Sequence, residues 1–176
     1  MIDQRFYELA AILNRGGQYA HYWIPSRDDG QKYSYWYPVN GHVPEPPASW
    51  LKGDLYYSVN PAGAAVDRSV HTKIHKEDVT AVNCLYAEFD CKDWQAEDQL
   101  IIHIAQLQPV PSAIVRSGGG YHCYWLLQDT YEINTAAARQ HIDQIETAWV
   151  AFVRGDPTVH DLARVLRVPG SQNHKY

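Results

Sequence analysis

The sequence has few cysteines, few phenylalanines and no long apolar run, and these shortages exclude several classes of protein. Its 176 residues include three cysteines, which form no Cys-x-x-Cys pair and leave an odd number. This predicts reduced thiols in a cytoplasmic protein rather than a disulfide framework. No apolar stretch approaches the ~20 residues that span a membrane, and the opening segment, with Asp3, Arg5 and Glu8, is typical of an amphipathic helix rather than a signal peptide. We therefore expect no membrane partner.

The chain also lacks an excess of basic residues. Its net charge of -5 argues against a protein that coats long stretches of duplex nucleic acid, although it is compatible with a local basic groove. A hydrophobic content of 45% and a charged content of 20% are those of an ordinary globular chain, and the length suits one domain. The 13 tyrosines and 6 tryptophans, against 3 phenylalanines, favour strands and flat surfaces that can stack on bases.

Strand and helix patterns follow one another along the chain, which predicts an α+β fold in two layers. The predicted helices cover residues 3–13, about 96–107 and 134–153. The last of them has an apolar stripe formed by Ile142, Ile145, Ala148, Trp149 and Phe152. The predicted strands cover residues 54–60, 82–90, 112–115 and 121–127, and residues 19–37 favour a hairpin around a turn at 26–30. Asp3 is the expected N-cap of the first helix.

Residues 82–90 form the segment around which the remaining patterns are organised. They read as a buried strand that ends with two carboxylates, Glu88 and Asp90. Residues i and i+2 of a strand point to the same face, so these acids repel each other and need a cation or strong donors nearby. A divalent metal ion is the simplest such partner. The alternative is that both acids reach solvent at the strand end, with Lys92 as their neighbour.

A glycine-rich segment links the next two predicted strands. Residues 116–120 read Arg-Ser-Gly-Gly-Gly, and three glycines in a row suggest that something approaches the backbone closely. The amides of such a loop can bind an anion, with Arg116 and Ser117 as further donors, and His122 follows on the strand. No Gly-Lys-Ser/Thr and no helix follow, so this is neither a Walker loop nor a dinucleotide fingerprint. A flexible turn with an ordinary histidine is the alternative.

The end of the chain places acids and bases close together in sequence: Asp156, His160, Asp161, Arg164, Arg167, His174 and Lys175. A helical turn over 161–166 would put Asp161 and Arg164 on one side. Asp161 is then either an N-cap and salt-bridge partner of Arg164 or a third metal ligand, in which case the arginines would hold phosphate.

Three motifs, in this order and spacing, resemble the catalytic core of the archaeo-eukaryotic primase superfamily. They are Tyr-Ala-Glu-Phe-Asp at 86–90, Ser-Gly-Gly-Gly-Tyr-His-Cys-Tyr-Trp at 117–125, and Asp-Leu-Ala-Arg-Val-Leu-Arg-Val-Pro-Gly-Ser-Gln-Asn-His-Lys at 161–175. The chain is more narrowly similar to the primase-polymerase domains of phage, plasmid and CRISPR-associated replication proteins. The resemblance covers residues 54–176. It implies a single primase-polymerase domain over 1–176, with an RRM-like mixed or antiparallel sheet flanked by helices, at the N-terminus of a longer replication protein.

The resemblance also implies an activity: a metal-dependent nucleotidyltransferase that adds nucleotides from NTP or dNTP to a strand on a single-stranded DNA template. Two Mg²⁺ or Mn²⁺ ions would be held by Glu88, Asp90 and Asp161, with Asp156 as a competitor for the third position. Glu88 departs from the family, which more often has aspartate there. His122 would contact the incoming phosphates as part of the catalytic set. The remaining implied nucleotide-binding residues are Arg116, Ser117, Gly118, Gly119, Gly120, Arg164, Arg167 and Lys175.

A helicase or accessory domain is the expected partner within a longer chain, and the expected location is intracellular, in a bacterial, phage or plasmid system. Two other functions stay open. One is a non-catalytic module that binds nucleotides or single-stranded DNA on the same fold. The other is a metal-dependent nuclease, because acids and histidines can also activate water.

Overall fold

The computed structural model describes residues 2–25 and 30–173. Three α-helices lie in this part of the chain: α1 (Gln4–Leu13), α2 (Glu97–Gln106) and α3 (Ala136–Val153). The strands are β1 (Tyr19–Ile24), β2 (Tyr33–Pro38), β3 (Tyr56–Ser58), β4 (Ala81–Asp90), β5 (Ala113–Arg116), β6 (Gly120–Glu132) and β7 (Val165–Arg167). Among the described residues, no helix is both long and apolar enough to cross a bilayer.

The strands form two sheets in which every pairing is antiparallel. One sheet has the order β2-β1-β3-β7, and the other has the order β4-β6-β5. The α+β fold class is confirmed, as are the N-cap, where the Asp3 side chain accepts from the backbone N–H of Arg5, and the pairing of β1 with β2. The predicted turn between those two strands includes residues 26–29, which lie outside the described residues.

The two faces of β4 pack against different layers, because alternate side chains of a strand point in opposite directions. Cys84 and Tyr86 join a core with α1 and the four-stranded sheet. Ala87 and Phe89 join a second core with α2 and α3. Glu88 and Asp90 continue the register of Cys84 and Tyr86. The acids therefore lie on the face of β4 that meets the other sheet.

Two predictions from local patterns are wrong. The helical turn expected over 161–166 is a short turn followed by β7, which pairs with β3 from Tyr56↔Arg167 to Ser58↔Val165. The apolar residues of this segment are also compatible with a strand. Pairing with β3 at the edge of the sheet is a tertiary contact that overrides the local helical pattern. The stripe of α3 is also rotated, because its buried residues are Ile142, Glu146, Val150 and Val153, whereas Phe152 is 66% exposed.

Candidate active site

A cleft of about 240 Å³ lies between the end of β4, the glycine-rich loop and β7. It brings together residues that are far apart in the sequence and mostly polar or charged. Its lining consists of Tyr56, Glu88, Asp90, Lys92, Ser117, Gly119, His122, Arg164, Val165, Leu166, Arg167 and Asn173. Most of the residues predicted from the three motifs therefore share one cleft. Arg116, Gly118, Gly120, Asp156 and Asp161 do not line it.

The pairing of β4 with β6 sets the acidic wall of the cleft. Glu88 lies opposite His122 and Asp90 opposite Gly120. The Nε2 atom of His122 is 3.6 Å from Oε1 of Glu88, an ion-pair distance if the ring is protonated. The ring is buried, and its Nδ1 has no hydrogen-bond partner among the described residues. On the same wall, the Nζ atom of Lys92 lies 2.7 Å from Oδ2 of Asp90.

The charges around Glu88 keep it ionised. Burial raises the pKa of Glu88, but the contact with His122 and the charge of Arg164 outweigh that effect, so the pKa lies below its ordinary value. The negative charge of Asp156 acts in the opposite direction on the same carboxyl group. A carboxylate surrounded in this way is available as an oxygen ligand at neutral pH.

The glycine-rich loop is a tight turn packed against the end of β4. A Cβ atom on Gly120 would lie 1.9 Å from the backbone oxygen of Phe89, so only glycine fits where β6 begins beside the end of β4. Gly118 has a φ of 90°, in the left-handed region. The backbone N–H of Cys91 donates to Gly119 O at 2.9 Å, and the side-chain amide of Asn173 donates to Ser117 O at 3.0 Å. The loop is thus held from two sides.

Arg116 points away from the cleft. Its Nη2 atom donates to Oε1 of Glu97 at 2.9 Å, and the hydroxyl of Tyr121 donates to the same oxygen at 2.8 Å. The Arg116 side chain is 69% exposed. Arg116 lines a neighbouring groove of about 380 Å³ together with Gly118, Arg167 and the 168–173 segment. A phosphate contact by Arg116 would therefore be made outside the cleft.

The two candidate aspartates of the third motif occupy different surroundings. The backbone N–H of Asp156 donates to Glu88 O at 2.8 Å, which places Asp156 beside the edge of β4. Burial raises the pKa of Asp156, but hydrogen bonds from Thr158 and the charges of Lys92 and Arg164 bring it below its ordinary value. Lys92 thus acts on both Asp90 and Asp156.

Asp161 instead belongs to a second group of charges. Its Oδ2 atom lies 2.5 Å from Nη2 of Arg164, which confirms the predicted salt bridge. Burial lowers the pKa of Lys73, and the negative charge of Asp161 offsets only part of that effect. The Arg164 side chain also donates to Thr158 O at 3.0 Å, and its charge acts on Glu88 and Asp156 as well.

Arg167 is locked into the fold. Its side chain is 6% exposed, and Nη1 lies 2.7 Å from Oδ1 of Asp54. It donates to Gln172 O at 2.8 Å and to the hydroxyl of Tyr56 at 3.0 Å, and it stacks over the Tyr56 ring. Arg167 therefore ties β7 to β3 and to the turn that carries Asn173. Tyr56 and Asn173 are site residues that the sequence analysis did not identify, and the Asn-His-Lys end of the third motif was the available signal for the second.

The cleft supplies some of the ligands that a divalent metal ion needs. Glu88 and Asp90 present hard carboxylate oxygens to one cleft, the ligand type that Mg²⁺ and Mn²⁺ favour. Among residues 2–25 and 30–173, no group of three His, Cys, Asp or Glu side chains is close enough to hold a metal ion. Lys175, a predicted nucleotide-binding residue, lies outside the described residues.

Known proteins are similar to this chain in structure rather than in sequence. No protein-family model and no curated protein sequence matches the chain. It is similar to the solved AEP domain of the cyanophage S-2L primase-polymerase, with a TM-score of 0.64 and 17% identity over 99% of this chain and 85% of that one. The chain has an archaeo-eukaryotic primase-type fold.

Two structures of primase RepB' have the same primase-type fold. One has a TM-score of 0.51 and 16% identity, over 96% of this chain and 49% of that one. The other is the catalytic domain of RepB' in complex with initiator DNA, with a TM-score of 0.50 and 15% identity over 98% and 80% of the two chains. At these identities the likeness confirms the fold predicted from the motifs.

Proposed function

We propose that this chain is a metal-dependent nucleotidyltransferase of the primase-polymerase type, which adds nucleotides from NTP or dNTP to a strand on a DNA template. One observation carries the proposal: two carboxylates, a buried histidine and cationic side chains from three distant segments line a single cleft on this fold. Phosphoryl transfer depends mainly on positioning and on neutralising charge, and such a cleft supplies both. The named structural relatives, one of them bound to initiator DNA, support the same reaction and a DNA partner.

The roles of the residues follow from their surroundings. Glu88 and Asp90 would hold Mg²⁺ or Mn²⁺, and the metal, when bound, would neutralise the phosphates and lower the pKa of the attacking hydroxyl. His122 and Arg164 would contact the triphosphate, because both groups face the cleft beside the acids. Ser117 and Gly119 would add loop contacts at the same wall.

Asp156 is the better candidate for the third carboxylate. Its backbone is bonded to that of Glu88, and it shares the influence of Lys92 with Asp90. Asp161 is instead paired with Arg164. We therefore propose Asp156 as the third carboxylate, which would have to approach Glu88 and Asp90 when metal binds, and Asp161 as the residue that positions Arg164.

The test is extension of a labelled primer on a single-stranded DNA template, with NTP or dNTP and with Mg²⁺ or Mn²⁺. Asp90→Asn should reduce extension by at least about 100-fold, because it removes a metal ligand without changing side-chain size. Asp129→Asn is the matched control: Asp129 is an exposed acid near the far end of β6, and its loss should change the rate less than about twofold. Extension by Asp90→Asn at the wild-type rate would contradict the assignment.

A second candidate is a non-catalytic module that binds nucleotides or single-stranded DNA. It is favoured by the side chains that already lie beside both acids, the ammonium group of Lys92 at Asp90 and the imidazole ring of His122 at Glu88. Triphosphate binding without extension by the wild-type chain, under every metal and nucleotide condition, would support this module. Release of mononucleotides from DNA without added triphosphates would indicate a nuclease instead.

A further inference from the structure

A carboxyl group is buried behind the proposed active site, in the apolar face of α3. Glu146 is 1% exposed and lies among Ile142, Val150 and Val153 on that face. Burying a carboxyl group in such a place is costly unless it makes a specific hydrogen bond. Its Oε1 atom accepts the backbone N–H of Tyr86 at 3.0 Å. The hydrogen bond reaches β4 two residues before Glu88.

This hydrogen bond gives a partner to a backbone N–H at the outer edge of β4, the strand that carries Glu88 and Asp90. β4 pairs with β6 on one side only, so its other edge needs partners from elsewhere. Two such partners contact the outward-facing backbone groups of Tyr86 and Glu88. Glu146 accepts from Tyr86 N, and Asp156 N donates to Glu88 O. The helix α3 and the segment after it thus hold the edge of β4 at adjacent outward-facing groups.

The same residue of β4 connects to the opposite side of the cleft. The hydroxyl of Tyr86, a buried side chain, donates to the backbone oxygen of Asp161 at 2.7 Å. Asp161 pairs in turn with Arg164, which lines the cleft. Displacing Tyr86 would therefore move both an acid and a cation of the site.

We propose that Glu146 is a positioning residue: its carboxyl group fixes the outer edge of β4 at Tyr86 and thereby places Glu88 in the cleft. The inference rests on the proposed function for its catalytic consequence. The hydrogen bond needs an acceptor oxygen but no charge. Glu146→Gln retains that oxygen at the same side-chain length, whereas Glu146→Leu removes it and leaves the Tyr86 N–H buried without a partner.

Amide hydrogen exchange tests the placement of β4 without reference to catalysis. The N–H groups of Leu85 and Ala87 point toward β6, since outward and inward groups alternate along an antiparallel edge strand. In Glu146→Leu, exchange at Tyr86 and Asp156 should accelerate at least tenfold more than at Leu85 and Ala87. Glu146→Gln should match the wild-type chain at all four amides. Unchanged exchange at Tyr86, or equal acceleration at all four, would overturn the inference.

Primer extension tests the consequence for the site. Because a small misplacement of a catalytic group lowers turnover strongly, Glu146→Leu should lower kcat about tenfold and change the KM for the nucleotide less than about twofold. Glu146→Gln should restore kcat. Gln144→Leu, on the exposed side of the same helix, controls for a new leucine in α3 and should behave as wild type.

The outcomes separate the two proposals. A wild-type chain without extension, whose exchange responds to Glu146→Leu as described, would overturn the proposed function and leave the role of Glu146 in placing β4 supported. Wild-type kcat in Glu146→Leu, in a chain that does extend primers, would overturn the positioning role.

Discussion

The two walls of the cleft hold their functional groups by different means. The strand wall consists of Glu88, Asp90 and His122, whose backbones belong to the β4–β6 ladder. The C-terminal wall consists of residues 156–173, which contain one three-residue strand, β7. Arg164 lies outside any strand there, and although the Arg167 backbone pairs with β3, carboxylates and backbone carbonyls hold both guanidinium groups.

This difference predicts different responses to substitution. On the strand wall, backbone hydrogen bonds fix each Cα position, so removing one functional group should leave its neighbours in place. On the C-terminal wall, Arg164 is paired with Asp161 and Arg167 with Asp54. A substitution in either pair should disturb several contacts at once and lower stability or nucleotide affinity together with turnover.

The largest effect should distinguish the two aspartates of the C-terminal wall. Asp156→Asn should reduce primer extension about 100-fold with little change in stability, if this carboxylate joins Glu88 and Asp90 at the metal ions. Asp161→Asn should cost about tenfold, mainly as a higher KM for the triphosphate, because it frees Arg164. Both variants are measured beside Asp129→Asn. A greater loss in Asp161→Asn than in Asp156→Asn would reverse our assignment of the third ligand.

An intermediate effect is expected at Arg167. Arg167→Met leaves Asp54 without its cation and removes donors from Tyr56 and Gln172. Breaking such a partly buried pair should cost about 2 to 3 kcal/mol, or a fall in Tm on the order of 5 to 10 °C for a domain of this size. Thermal unfolding measures it.

The double variant with Asp54→Asn provides the control for this pair. Its loss of stability should be smaller than the sum of the two single losses, because the partner charge is already absent. Additive losses, or a wild-type Tm in Arg167→Met, would show that the network does not hold this wall together.

The same difference explains which parts of the site could be predicted from the sequence. The alternation rule places Glu88 and Asp90 on one face of a strand without any knowledge of the fold, and the structure has them there. The role of His122 was implied only by the motif resemblance, and the register of the structure places it opposite Glu88. The motif resemblance added the fold, which the structural relatives confirm.

The C-terminal wall could not be predicted in this way, because its geometry depends on partners distant in sequence. The segment 161–166 has a helical spacing, yet β7 forms because β3 offers it an edge. Arg167 was predicted to bind nucleotide, and only the tertiary structure brings Asp54 to it. On α3, the i, i+4, i+8 spacing of Ile142, Glu146 and Val150 was visible, but a glutamate is rarely fully buried, so the stripe was assigned to the wrong face.

The last effect concerns the helix behind the strand wall and appears as a pH dependence. Burial raises the pKa of Glu146 to about 8, only partly offset by the hydrogen bond from Tyr86. The folded chain therefore retains a proton that the unfolded chain releases near pH 4.5. The stabilisation by neutral Glu146 is fully present below that pH and is lost as the pH rises to about 8. The slope cannot exceed about 1.4 kcal/mol per pH unit, the limit for one proton.

Urea unfolding of the wild-type chain and of Glu146→Gln between pH 5 and 8 measures this contribution as a difference. The neighbouring groups do not obscure it. Burial raises the pKa values of Cys84 and Tyr86 well above this range, and Asp143 is paired with Lys76. Burial lowers the pKa of His21 to about 3, and that contribution is common to both chains and cancels in the difference. The wild-type chain should lose stability relative to Glu146→Gln as the pH rises, and a difference that stays constant would mean that Glu146 is ionised in the folded chain.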